Sequence, residues 1–163
     1  MSAVPRNERW LRPMQIDDLE AVLAIENAAY EFPWSRGNFI DSLAASYWAQ
    51  WLIGPASQMI GYVIAMHGVH ETHLLNLTVA PAHEHRGHAR FMLDALVEHA
   101  VREHAEQVWL EVRVSNQRGR ALYRRYGFRD IGVRKGYYPA AQGRREDAVV
   151  MSLPIDGGAR ALD

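Results

Sequence analysis

The order of strand-like and helix-like runs limits the fold of this chain more than any other feature. Three successive runs, over 47–53, 59–66 and 72–79, are rich in branched and aromatic residues and are separated by turn signals, which predicts an antiparallel meander. From Gly87 onward, helical periodicity alternates with short apolar runs. The pattern therefore predicts an α/β protein in which helices flank one mixed, mostly antiparallel sheet.

The other predicted elements complete this order. A strand over 10–14 precedes two helices; the first begins at Asp17 and has Glu26 at helical spacing with its apolar residues, and the second is capped by Ser35. Later elements are expected in the order helix, strand, helix, strand, strand, over 87–104, 107–114, 116–126, 128–133 and 147–153. A long connection that contains Tyr137 is expected to join the last two strands.

Composition excludes several classes of protein. Of the 163 residues, 48% are hydrophobic, which excludes a disordered chain. The length fits one domain, expected over 1–155 with a flexible tail over 156–163. The formal net charge is −1, so we expect no direct nucleic-acid partner. The absence of cysteine excludes disulfides, a thiolate nucleophile and cysteine-containing zinc sites.

No apolar run approaches the ~18 residues of a membrane span, and the first ten residues lack the apolar core of a signal peptide. These features predict a cytoplasmic protein without a membrane partner.

The segment between the third strand-like run and the long helix is a candidate anion site, with the sequence Glu84-His85-Arg86-Gly87-His88-Ala89-Arg90. A helix N-terminus presents free backbone N–H groups, and small residues there let the backbone approach a bulky anion. A pyrophosphate would suit this place. The alternative is an ordinary basic loop.

Two side chains could move protons. Glu111 lies on a predicted strand, where a carboxylate that borders a cleft can accept a proton directly or through a water. Tyr123 follows the predicted helix cap Asn116, and a phenol at the mouth of a cleft can protonate a leaving group. The alternatives are a solvated strand carboxylate and an aromatic residue that only packs in the core.

Histidines recur at 67, 70 and 73 and again at 83, 85 and 88. Imidazole clusters can bind zinc or nickel. The first group spans a predicted turn, however, so its members are not expected to share a face, and we expect no metal.

Four segments with specific spacing occur in one order: Phe32-Pro-Trp-Ser35; Leu74-Leu-Asn-Leu-Thr-Val79 before Gly87; Trp109-Leu-Glu-Val-Arg-Val-Ser-Asn116 with Ala121-Leu-Tyr123 and Tyr126-Gly-Phe128; and Tyr137-Tyr-Pro139 with Arg145-Glu-Asp-Ala148. With these segments the chain resembles the GNAT family of acetyl-CoA-dependent N-acetyltransferases. Within that family it looks most like the RimI type, the bacterial ribosomal-protein-alanine N-acetyltransferases. The resemblance extends from about Trp10 to Pro154.

The resemblance implies the GNAT fold, with the sheet splayed at the cofactor site, and acetyl-CoA as co-substrate without a metal. It implies that an acceptor amine attacks the thioester directly, with Glu111 as general base and Tyr123 as the acid that protonates the thiolate. The residues implied to contact acetyl-CoA are Leu77, Thr78 and Val79 at the pantetheine arm, His85, Arg86, Gly87, His88, Ala89 and Arg90 at the pyrophosphate, and Asn116.

The family loop usually opens with Gln or Arg, whereas this chain has Glu84. A carboxylate beside a pyrophosphate is unfavourable. We therefore expect either that Glu84 points away from the anion or that Arg86 and His85 compensate its charge.

The resemblance also implies the acceptor, an N-terminal alanine on the eighteenth protein of the small ribosomal subunit. The residues implied to bind that peptide are the aromatic side chains Phe32, Trp34, Tyr137 and Tyr138, with the acids Glu31, Glu146 and Asp147 attracting a basic peptide. The alternatives are aromatics that only pack the edge of the fold, a small-molecule amine as acceptor, and a non-catalytic module that binds acetyl-CoA. We expect a monomer or a weak homodimer.

Overall fold

The structure, a computed structural model, describes residues 8–155 of the chain. The predicted tail over 156–163 lies outside the described residues. Within them the chain forms seven strands: β1 (Trp10–Pro13), β2 (Trp48–Ile53), β3 (Met59–Gly68), β4 (Glu71–Val79), β5 (Gln107–Arg113), β6 (Arg129–Pro139) and β7 (Arg145–Pro154). The same residues form four α-helices: α1 (Leu19–Ala29), α2 (Arg36–Ala44), α3 (His88–Arg102) and α4 (Gln117–Tyr126).

The strands belong to one sheet in the order β1-β2-β3-β4-β5-β7-β6. The pairs β1–β2, β2–β3, β5–β7 and β6–β7 are antiparallel, and β4 pairs with β5 in parallel. The parallel ladder is short, from Glu71 opposite Gln107 to His73 opposite Trp109. The prediction of a mixed, mostly antiparallel sheet is confirmed.

The contacts of the chain group into two compact units. Among the described residues, the first unit comprises 8–65 and Asn76–Asp94, and the second comprises Met66–Leu75 and 95–155. The single domain over 1–155 stays a prediction.

The first unit is built around the buried faces of its helices and strands. Ser35 caps α2, since its Oγ accepts a hydrogen bond from the backbone N–H of Asn38 at 3.1 Å. The rings of Phe39 and Tyr62 are fully buried and meet edge to face with centroids 5.8 Å apart. At Gly61 on β3, an added Cβ would lie 2.3 Å from the carbonyl oxygen of Thr78, so only glycine allows this approach.

The second unit follows the predicted periodicity. Val108, Leu110 and Val112 of β5 are buried on one face of the strand. Asn116 caps α4 by accepting a hydrogen bond from the backbone N–H of Gly119 at 2.9 Å, and Gly127 ends the helix at a φ of 126°.

The last two strands are longer than the sequence indicates, and the long connection predicted around Tyr137 is wrong. The ladder between β6 and β7 continues to Pro139 opposite Arg145. Its register shifts between Arg134 and Tyr138, a stretch that contains Gly136 at a φ of 56°. Such an irregular ladder places glycine and proline within a strand, where the sequence pattern indicates a loop.

In the part of the chain that the structure describes, no helix combines the length and apolar character needed to cross a membrane.

Candidate active site

Glu111, the predicted general base, lies on β5 with 7% of its side chain exposed. The Nε2 atom of His73 lies 2.6 Å from Oε2 of Glu111. The imidazole of His73 also stacks on the indole of Trp109, with centroids 3.6 Å apart and planes 9° from parallel. Because His73 is opposite Trp109 in the parallel ladder, its side chain shares a face of the sheet with Glu111, two residues further along β5.

Strand β6 brings three more groups to Glu111. The Nε of Arg134 lies 3.6 Å from Oε1 of Glu111, and its guanidinium lies over the rings of Trp109 and Tyr137. Burial and the charge of Glu111 raise the pKa of Tyr137 and of Tyr138, so both phenols are protonated at neutral pH. The carboxylate is therefore surrounded by hydrogen-bond donors and one positive charge.

The acids predicted to attract a basic peptide differ in their surroundings. Glu146 accepts a hydrogen bond from Nη1 of Arg113 at 3.1 Å, and Asp147 accepts one from the backbone N–H of Gly136 at 2.8 Å. Glu31 is exposed. The first two carboxylates thus have partners within the chain, which leaves Glu31 as the exposed acid of the three.

Asn116 and Tyr123 lie at and within helix α4. The Oδ1 of Asn116 is used by the cap bond to Gly119, which leaves the Nδ2 group as the donor for a ligand. The half-buried ring of Tyr123 packs on Phe128 with centroids 5.6 Å apart. Packing of the Tyr123 ring on Phe128 is compatible with the predicted role as an acid, because the contact uses the ring and the proton would come from the hydroxyl.

The predicted pyrophosphate loop precedes helix α3. His85 and Gly87 have φ angles of 63° and 78°, and α3 begins at His88. An added Cβ at Gly87 would have no atom within 4 Å, so the space above this backbone is open. Left-handed residues before a helix N-terminus turn backbone N–H groups toward one place, and this geometry fits a phosphate group.

Arg9, which the sequence did not single out, contacts this loop. Its Nη1 lies 2.8 Å from Nδ1 of His88, and its guanidinium lies over the ring of Phe91. Burial lowers the pKa of His88, and the charges of Arg9 and Arg86 act in the same direction. Because arginine only donates, Nδ1 of the neutral imidazole must accept, and Nε2 therefore carries the proton.

Glu84, the departure from the family loop, is half-buried. Burial raises the pKa of Tyr30 to about 12, and the charges of Glu26 and Glu84 act in the same direction. The negative charge of Glu84 therefore acts on the hydroxyl of Tyr30, the residue that follows α1.

The β4 residues implied to line the pantetheine arm are fixed by side chains of the same unit. Thr78 is buried, whereas Leu77 and Val79 are half-buried. Thr78 donates to Oδ1 of Asn76 at 2.7 Å, and the Tyr30 hydroxyl lies 2.7 Å from Oγ1 of Thr78. This chain of bonds holds the strand from the side of α1.

The network ends on a carboxylate that belongs to none of the sequence motifs associated with function. Glu26 of α1 is 1% exposed. Its Oε1 accepts from the Tyr62 hydroxyl at 2.6 Å and from Nδ2 of Asn76 at 3.0 Å, and its Oε2 accepts from the backbone N–H of Trp34 at 2.9 Å. A carboxylate at helical spacing with apolar residues was the available signal, since a buried acid requires several donors.

The predicted peptide-binding aromatics lie in two groups. In the first unit, Phe32 is exposed, and the half-buried ring of Trp34 packs on Phe39 with centroids 5.2 Å apart. In the second unit, Tyr137 is exposed and meets the half-buried ring of Tyr138 at 4.8 Å. Each group thus combines one exposed ring with one that is held in place.

The histidines of the first group separate, as expected. The Nδ1 of His67 lies 2.9 Å from Oγ1 of Thr72, and its ring meets that of His99, whereas His73 contacts Glu111. Among residues 8–155, no three His, Cys, Asp or Glu side chains are arranged to hold a metal ion.

Comparison with known proteins decides the family. The profile of the Acetyltransferase (GNAT) family matches residues 19–128. The chain belongs to the GNAT acetyltransferase family. Members of this family transfer the acetyl group of acetyl-CoA, which agrees with the phosphate-compatible loop before α3.

Curated relatives in this family cover nearly the whole chain. The chain is 34% identical over 142 residues to the [ribosomal protein bS18]-alanine N-acetyltransferase of Escherichia coli K12, covering 87% of this chain and 95% of that one. It is 37% identical over 138 residues to the Salmonella typhimurium LT2 protein of the same name, with 85% and 92% covered.

A solved structure supports the same assignment. The crystal structure of the ribosomal-protein-S18-alanine N-acetyltransferase from Escherichia coli superimposes with a TM-score of 0.82 at 32% identity. The match covers 96% of this chain and 99% of that chain. The GNAT fold and the RimI-type resemblance are thereby confirmed.

Proposed function

We propose that this protein is a cytoplasmic Nα-acetyltransferase that transfers acetyl from acetyl-CoA to the N-terminal alanine of ribosomal protein bS18. The observation that carries the proposal is the 34–37% identity, over most of both chains, to enzymes that bear this name. The retained Glu111, Asn116 and Tyr123 set supports catalysis over a silent acetyl-CoA-binding module.

In this proposal the loop before α3 and the strand β4 bind the donor. The pyrophosphate lies on 85–90, where the backbone of Gly87 is open and His88 carries a proton on Nε2. The pantetheine arm pairs with the backbone of Leu77, Thr78 and Val79, whose strand is held by the Tyr30 and Asn76 bonds. Backbone N–H groups on that strand would stabilise the negative charge that develops on the thioester carbonyl oxygen when the amine attacks.

Glu111 and Tyr123 carry out the proposed proton transfers. An α-amine has a pKa of ~8, so at neutral pH most of the acceptor is an ammonium that cannot attack. Glu111 takes that proton. Because only 7% of its side chain is exposed, we assign the transfer to a path through one water. The neutral amine then attacks the thioester, and Tyr123 protonates the departing thiolate.

Mass spectrometry of a short basic peptide with a free N-terminal alanine, incubated with acetyl-CoA and the protein, tests this function. One added acetyl group on the N-terminal amine is expected. A matched peptide with a blocked N-terminus and one lysine should remain unmodified. Acetylation of the lysine alone, or of polyamines but neither peptide, would refute the proposed acceptor.

The role of Glu111 is tested separately. Glu111→Gln should lower kcat by about 10²–10⁴-fold, because general-base help is typically of this size. Glu98→Gln changes an exposed acid on α3 and should retain the wild-type rate. Equal rates for Glu111→Gln and the wild type, with both proteins folded, would remove Glu111 from the mechanism.

A further inference from the structure

We propose that His73 is a positioning residue for acetyl transfer, which holds the Glu111 carboxylate in the orientation that accepts the proton. This inference rests on the proposed function, since it assigns His73 a part in the step that Glu111 performs. The 2.6 Å contact between His73 Nε2 and Glu111 Oε2 motivates it.

The pairing of β4 with β5 brings His73 and Glu111 together. His73 and Glu111 lie on β4 and β5, which are neighbours in a parallel ladder whose last pair is His73 opposite Trp109. The stacked indole of Trp109 limits the imidazole to one plane. Only 11% of the His73 side chain and 7% of the Glu111 side chain are exposed, so water competes little for their hydrogen bond.

The bond also fixes which group donates. An ionised carboxylate has no proton to give, so Nε2 of His73 is the donor while Glu111 acts as a base. With Oε2 held by His73, we assign Oε1 as the oxygen that receives the incoming proton. Rotation about the last torsion of a glutamate is otherwise broad, and the two oxygens would exchange places.

The neighbouring side chain of Arg134 makes this restraint important for catalysis. The Nε of Arg134 lies 3.6 Å from Oε1 of Glu111, and the Arg134 side chain is 50% exposed. A guanidinium presents parallel N–H groups that match both oxygens of a carboxylate. By holding Oε2, His73 prevents a two-pronged ion pair between Glu111 and Arg134, which would occupy both oxygens and block proton transfer.

A set of variants separates this role from simple structural support. His73→Ala should lower kcat about 10–100-fold and leave the KM for acetyl-CoA within about twofold, because it disturbs the base and not the donor site. His73→Gln keeps an N–H donor and should recover most of the rate. His73→Ala/Arg134→Ala should be faster than His73→Ala, since the competing cation is removed.

A double-mutant cycle decides whether His73 acts through Glu111. In the Glu111→Gln background, His73→Ala should cause no further loss of kcat. His70→Asn, at an exposed histidine in the turn before β4, is the control and should keep the wild-type kcat. All variants are assayed well below their unfolding temperatures, which are measured in parallel.

Independent, additive losses from His73→Ala and Glu111→Gln would overturn the proposal, as would an unchanged kcat in His73→Ala. Failure of the proposed function looks different, because the wild type itself would then not acetylate the alanine peptide. If the wild type acetylates another amine, the same cycle run with that amine tests His73. Transfer to no amine at all would overturn both proposals.

Discussion

The backbone N–H of Trp34 donates a hydrogen bond of 2.9 Å to Oε2 of the buried Glu26. The other oxygen of that carboxylate accepts from Tyr62 of β3 and Asn76 of β4. One side chain of α1 therefore fixes both the loop that carries the predicted peptide-binding aromatics and the strand implied to bind the pantetheine arm. These two parts of the first unit are coupled through a single buried acid.

Glu26→Ala should destabilise the protein by about 3 kcal/mol, because it leaves several buried donors without an acceptor. It should also raise the KM for the peptide, since the backbone at Trp34 loses its anchor. Denaturant unfolding and steady-state kinetics measure the two effects. Asn27→Ala, at the next and exposed position of α1, should change stability by less than ~0.5 kcal/mol. Equal stability of the two variants would contradict the anchoring role of Glu26.

Alanine substitutions at two glycines with similar φ angles separate the cost of backbone strain from a loss of acetyl-CoA binding. Gly87 and Gly143 have φ angles of 78° and 69°, and an added Cβ meets no atom within 4 Å at either position. Alanine at each should cost about 1–2 kcal/mol of stability through its unfavourable backbone conformation. Only Gly87→Ala should also raise the KM for acetyl-CoA, because only Gly87 lies in the proposed pyrophosphate loop.

Thermal unfolding and titration with acetyl-CoA check this pair. A rise in the KM for acetyl-CoA in Gly143→Ala equal to that in Gly87→Ala would indicate a global effect of destabilisation. An unchanged KM for acetyl-CoA in Gly87→Ala would contradict the proposal that the pyrophosphate binds to this loop.

Much of the fold follows from local chemistry, and for that reason the sequence predicts it. The cap residues Ser35 and Asn116 accept the bonds that their types predict, and the alternation in β5 places Val108, Leu110 and Val112 on the buried face. These are short-range effects, in which the residues that interact are close in sequence.

The parts that the sequence could not predict depend on long-range register. The contact between His73 and Glu111 joins residues 38 apart, and it requires the parallel pairing of β4 with β5 in one register. The bond from Glu26 to Asn76 spans 50 residues. A periodicity pattern shows which face a residue occupies, but it does not identify the residue that meets it from another strand or helix.

We expect low pH to reduce the free energy of unfolding in part through Asp18, whose carboxylate accepts hydrogen bonds in the folded state. Burial acts to raise the pKa of Asp18, but the two bonds from Arg12 and one from the Gln15 backbone outweigh it and hold that pKa below its ordinary value of 3.8. A group with a lowered pKa in the folded state stabilises the fold above its ordinary pKa, and this contribution is lost as the pH falls through the folded-state value.

Asp18→Asn should therefore lower the free energy of unfolding by about 0.5–1 kcal/mol at pH 7, since the ion pair is partly exposed. The difference from the wild type should shrink as the pH falls below 3.8, the ordinary value for Asp18. Urea unfolding at pH 7 and pH 3 measures it, with the exposed neighbour Asp17→Asn as control. A difference that grows toward low pH would contradict the sign of this argument.

The final prediction concerns the proposed acid. Tyr123 and Tyr126 of α4 both pack on the buried ring of Phe128, with centroids 5.6 and 6.1 Å away. Phenylalanine preserves this ring packing at either position, so we expect both variants to fold. Tyr123→Phe should lower kcat by about 10²–10⁴-fold because the thiolate loses its proton donor. Tyr126→Phe should retain the wild-type kcat. Kinetics with a thiol-detecting reagent compare the two, and equal activity of both variants would assign the acid role to another group.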